Sequence, residues 1–227
     1  MLYKKRWEVV IIIAMKKTIF IILISLLISG NIKAQTNGKS LMEVDYESLV
    51  SKADLKFDKV LPKHQYGLPV GNGRMGSLVW INNKLHQSKL KLQINRVDVF
   101  GSNSYSAVHE LHTDYSGACG FVEIDFNSEP FVPGKTMQHL NVYDALMTAS
   151  GKDFKVRVLA YNQLDVMAIE IDDSRDNPAD IDIDLKMIRP NKVQTGKHLA
   201  VSELHTDDRA LILNQEFTEP SESTVMK

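Results

Sequence analysis

The chain has 227 residues, with 27 Lys and Arg against 28 Asp and Glu and a formal net charge of −1. That balance, with no basic patch interleaved with aromatics, argues against a nucleic-acid partner. The lone cysteine, Cys119, excludes an intramolecular disulfide, and the small residues around it (Gly117, Ala118, Gly120) favour a buried inert thiol over a nucleophile.

In chain order, the first expected element is an export signal. Met15, Lys16 and Lys17 give a charged start, residues 19–28 an apolar run, and Asn31-Ile32-Lys33-Ala34 before Gln35 a cleavage box with a small residue at the cut. Met15 is the expected true start, and the residues before it, with a second apolar patch at 9–14, read as an upstream extension. The run 19–28 is shorter than the ~18–20 residues of a membrane-spanning helix. No cysteine stands at the junction to carry a lipid. The expectation is therefore export to the periplasm or beyond, without a stable membrane anchor. Removing residues 1–34 leaves 193, a mildly acidic chain that can bury a core as one domain. Residues 35–53 are a lead-in with one or two helical turns, and residues 54–227 form the domain.

Residues 67–80 read G-L-P-V-G-N-G-R-M-G-S-L-V-W. Glycine at this density marks backbone at positive φ or in close approach. Gly71, Gly73 and Gly76 match G-x-G-x-x-G, the dinucleotide fingerprint, and Asp98 lies at a tempting distance. The fingerprint needs a strand before it and a helix after it. Here polar residues 63–66 precede the loop and strand-forming residues 77–81 follow it, ending at an Asn82-Asn83 turn pair, so no cofactor is expected.

From there the period is two. Leu90, Leu92 and Ile94 share a face, and Val97 and Val99 resume it on the opposite parity, which predicts a bulge at Asn95-Arg96. Val122, Ile124 and Phe126 point inward, with Glu123 and Asp125 outward. Phe154, Val156, Val158 and Ala160 alternate after a Gly151-Lys152 turn, and residues 166–171 are apolar on both faces, as in a central strand. Ile181, Ile183, Leu185 and Met187 alternate against Asp182, Asp184 and Lys186, the clearest amphipathic strand, and residues 210–213 are one more. Residues 101–120 are the longest irregular segment. Residues 110–114 and 203–207 share the text E-L-H-T-D, but their flanks do not match, so this is a chance recurrence. The pattern predicts an all-β fold, an antiparallel β-sandwich.

Residues 54–59 and 68–79, with Gln93-Ile94-Asn95 and Phe100, resemble the opening of glycoside hydrolase family 95, which carries a Leu-Pro-Leu-Gly-Asn-Gly-Arg-Leu-Gly loop. Ala118-Cys119-Gly120 and residues 166–173 look closer to a relative of that family, the N-terminal module of domain-of-unknown-function family 5703. The resemblance implies a sandwich of the super-sandwich type, preceding an (α/α)6 barrel that carries the catalytic carboxylates. Arg96 and Val97 stand where the family has Glu-Asp, and Phe100 replaces its Trp, so the family's sugar preference does not carry over. No barrel follows within the chain, and the sandwich itself reads as cut short near Lys227.

Glycoside hydrolysis needs two opposed carboxylates about 5–10 Å apart. The acids here fall on outward strand faces (Glu123, Asp182, Asp184) or in turns (Asp172, Asp173, Asp176), which predicts solvated faces and no catalytic residue. The candidate substrate-binding residues are Asn72, Arg74, Asn95, Arg96, His109 and His112. His109, His112 and Asp114 have a metal-compatible spacing, H-x-x-H-x-D, although a polar loop bordering a neighbouring domain's sugar pocket fits the same text, and no metal is expected. Arg74 could instead tie its turn to an adjacent strand. The expected function is a non-catalytic module of an exported glycoside-hydrolase-like protein, with carbohydrate and a helical catalytic barrel (in cis or encoded downstream) as partners. The alternatives are a self-standing carbohydrate-binding sandwich, for which Tyr105, Tyr115, Tyr143 and Tyr161 are the candidate platform, or a structural subunit.

Overall fold

The computed structural model describes residues 4–7, 10–14, 43–84, 86–100, 116–195, 198–207 and 209–218. Two short strands come first, β1 (Lys4–Trp7) and β2 (Val10–Ala14), then one helix, α1 (Tyr46–Val50), capped by the Asp45 side chain and continued by a 3₁₀ turn at Ser51–Ala53. The strands that follow are β3 (Leu55–Phe57), β4 (Leu68–Gly71), β5 (Met75–Lys84), β6 (Gln87–Phe100), β7 (Ser116–Asp125) and β8 (Met137–Asn141). After them come β9 (Leu146–Gly151), β10 (Phe154–Ala160), β11 (Val166–Asp173), β12 (Asp182–Met187), β13 (Lys192–Thr195), β14 (His198–Thr206) and β15 (Leu211–Thr218). The lead-in helix falls where the sequence places it.

Three sheets result, with strand orders β2-β11-β10-β9-β8-β3, β12-β7-β6-β5-β4 and β1-β15-β14-β13. Every pairing is antiparallel except β2 with β11. The fold is an all-β sandwich, as the alternation predicts. Leu90, Leu92, Ile94, Val122 and Ile124 from the five-stranded sheet, with Phe126 just past β7, share one core with Met147, Phe154, Val156, Val158, Met167 and Ile169 from the six-stranded sheet. Phe126, Phe131 and Phe154 meet edge to face, with centroids 5.0 to 5.9 Å apart.

Several expectations need correction. Asn82 and Asn83 do not turn the chain. They pair with Lys89 and Ser88, the ladder runs on to Lys84 opposite Gln87, and the Asn83 amide donates to the Phe131 carbonyl. The bulge is where the pattern puts it, because the β6–β7 register shifts at Ile94/Asn95 and again before Phe100. Val97, however, is exposed. Arg96 keeps the inward parity and is buried, and only Val99 returns to the core. Strand β11 is not apolar on both faces: Met167, Ile169 and Ile171 are buried, while Glu170 faces out against Arg157.

The most amphipathic text, β12, is an edge strand whose Ile183 is 42% exposed, while its Leu185 packs partly buried against the core. Residues 116–120, expected in the irregular segment, open strand β7, and the last strand runs on to Thr218. Residues 4–7 and 10–14, expected upstream of the start, pair with β15 and β11. The expected export signal at 15–34 lies outside the described residues. Among those residues, no helix is long and apolar enough to cross a membrane.

Candidate functional site

The glycine-rich loop joins β4 to β5 as a hairpin, and Gly73 sits in its turn at φ +87°. Asn72 organises this turn. Its side-chain oxygen accepts from the Arg74 and Met75 amides at 3.0 and 2.9 Å, and its Nδ2 donates to the carbonyls of Tyr161 and Leu164 at 2.8 and 3.0 Å. Those four bonds use the whole hydrogen-bonding capacity of an amide side chain. The two carbonyls that Nδ2 reaches lie in the β10–β11 turn, in the opposite sheet, so the residue clasps the two layers together.

Arg74 adds to the clasp. Its Nη2 donates to the Gln163 carbonyl at 3.1 Å, and its Nε lies 3.0 Å from Asp165 Oδ1. Its side chain is still 55% exposed. Asp165 also receives Arg96 Nη2 at 2.8 Å, and Arg96 pairs with Asp98 through Nε and Nη2 at 3.1 and 3.2 Å. The result is an Arg74–Asp165–Arg96–Asp98 chain of alternating charge. The hydrogen bond from Arg96 to Asp98 raises the Arg96 pKa above its ordinary value against the opposing pull of burial, so the guanidinium stays charged inside. Arg96 faces inward and is neutralised by Asp98 on its own strand, β6, and by Asp165 from the β10–β11 turn. Asn95, at the bulge, accepts from Gln93 Nε2 at 3.3 Å.

Topology gathers exposed apolar groups at the same end. β9 and β10 pair with Leu146 opposite Leu159, so the β8–β9 and β10–β11 turns emerge side by side. They carry Tyr143 and Tyr161, both exposed, with Leu164 and, from β6, Val97. The sequence separates the two tyrosines, but the sheet brings them to one wall. His109, His112, Asp114, Tyr105 and Tyr115 lie outside the described residues, and among the described residues no group of three His, Cys, Asp or Glu could hold a metal.

Of the acids expected on solvated faces or in turns, Asp176, Asp182 and Asp184 are exposed, whereas Glu123 and Asp173 are paired with cations. Burial works against charge on Glu123, but hydrogen bonds from Lys186 and from Lys91 (2.5 Å) outweigh it and hold the carboxyl below its ordinary pKa. Asp173 is held low chiefly by its hydrogen bond from Arg175, and Asp54 by the Val142 amide and then His139. Burial lifts the Cys119 thiol to about 11, consistent with an inert group.

Sequence reasoning missed Asp165, Leu164 and the pairing role of Asp98. Asp98 drew notice only as an acid downstream of the glycines, and no local pattern marks residues 164 and 165. The chain matches no protein-family model and no curated protein.

Proposed function

We propose that this chain is the non-catalytic β-sandwich module of an exported, glycoside-hydrolase-like protein, and that its glycine-rich end wall rests against a helical catalytic domain. One observation carries it: the loop bearing the family resemblance spends Asn72 on bracing the wall, which presents Tyr143, Tyr161 and Leu164 outward. A wall held from both sheets with apolar side chains on its rim suits a domain contact. The pairing of Glu123, Asp165 and Asp173 with lysines and arginines supports a module that leaves hydrolysis to another domain. Arg74, half open on the wall, is the residue placed to reach a sugar held at the border.

The two tyrosines on one wall favour a second reading, a self-standing carbohydrate-binding sandwich. Calorimetric titration with plant and mucin oligosaccharides separates the two. A module that borders another domain's pocket binds none measurably by itself. Saturable binding that Tyr143→Ala or Tyr161→Ala abolishes would replace the first reading with the second.

A further inference from the structure

We propose that the outer edge of β11 is a strand-accepting site, and that its ligand is an extended, β-branched protein segment running parallel to it and followed by basic residues. The structure shows such a segment in place: Val10–Ala14, of sequence V-I-I-I-A, pairs with β11 from Val166↔Val10 to Glu170↔Ala14. It is the one parallel pairing among the described strands. Parallel neighbours are ordinarily woven in by a crossover, whereas here the rest of the six-stranded sheet lies between the two partners in sequence. The segment is therefore laid on from outside, in the manner of strand addition.

The other ends of the two core sheets are blunted. β3 has three residues, β4 has four including Pro69, and β12 carries Asp182, Asp184 and Lys186. β11 has eight residues with no proline and no lysine, and its mid-strand charge, Glu170, is engaged by Arg157 across the sheet. That is a long edge without the usual protections. Asp172 at its far end supplies the complement to a basic tail, while Asp173 beside it is held by Arg175. The vacancy in nature rests on the export reading, since both the start at Met15 and a cut after Ala34 remove residues 10–14.

The test uses the full chain and hydrogen exchange. Replacing Ile11→Pro and Ile12→Pro together removes whichever of the two adjacent amides faces β11. The amides among residues 166–170 that face β2 should then lose protection, while those bonded to β10 and those of β5 and β6 keep theirs. A synthetic peptide of residues 8–17, with Lys16 and Lys17 in register with Asp172 and Asp173, should restore it saturably, and the same peptide carrying the two prolines should not. Unchanged β11 protection in the double variant, or no rescue by the peptide, overturns the proposal. So does a double variant that light scattering shows to be a dimer with β11 still protected, because a second copy would then be the occupant. Intact mass of exported chain tests the export reading separately: a chain beginning before Val10 keeps its own strand, whatever the peptide does.

Discussion

Among single residues, Gly73 and Arg96 are the most informative, for different reasons. At φ +87° no neighbour lies within 4 Å of a Cβ built on Gly73, so alanine there costs backbone strain alone. Gly73→Ala should lower stability by about 1–2 kcal/mol, measured by denaturant unfolding, and an unchanged midpoint would mean the turn has ordinary geometry. The density of glycine made this legible. Gly151 differs, because its Cβ would overlap the Pro130 carbonyl, a long-range approach that sequence cannot reveal. Arg96 was legible as a departure from the resembling family, but its partner Asp165 was not, since Asp165 lies in the β10–β11 turn of the opposite sheet, far from Arg96 in sequence. Arg96 is 8% exposed and Arg74 55%. Removing Arg96 takes a charged partner from two acids that are about 30% exposed (Asp98 33%, Asp165 29%), although Asp165 keeps Arg74, so Arg96→Ala should cost about 1–3 kcal/mol, while Arg74→Ala should cost ~0–1 kcal/mol. Equal losses would contradict the burial-based ranking of the two arginines.

Strands were well read where period two meets a covered face, as in β7 and β10, and badly where it does not. β12 has the cleanest alternation in the chain, yet it lies at an edge, because alternation records which face is apolar and not whether anything covers it. The β6 reading failed at Val97 for a related reason: a buried, paired arginine took the inward position that hydrophobicity alone would give to valine. The outward faces also hold more than the sequence suggested. Glu123 sits between Lys91 and Lys186, Asp125 beside Lys89, and Asp173 beside Arg175, each with its pKa lowered from ordinary values of 4.5 for the glutamate and 3.8 for the aspartates. A lowered folded-state pKa means that the unfolded chain binds the extra proton. The contribution is complete above the unfolded value and is lost as pH falls through the folded one. Unfolding midpoints should therefore be level above about pH 5 and should fall progressively below about pH 4.5. Glu123→Gln should flatten the upper part of that fall, and an identical profile in that variant would show the lysine pairs to be without effect.

For the molecule as a whole, the fold class followed from strand spacing and the absence of a helical period. The partition into three sheets did not, since pairing partners such as Leu55 with Leu140 or Lys186 with Phe121 are distant in sequence and carry no local mark. The end wall was half legible: Asn72 and Arg74 stood out, but their targets in residues 161–165 did not, because turns reveal themselves by what folds against them. The central claim is that this sandwich is a module without hydrolytic chemistry of its own, and the direct measurement is turnover of a panel of aryl glycosides and plant and mucin oligosaccharides by the purified chain. No turnover above a buffer control is the expected result. Turnover that survives repurification and disappears on a single Asp or Glu substitution would contradict it, and would place a catalytic carboxylate within this chain.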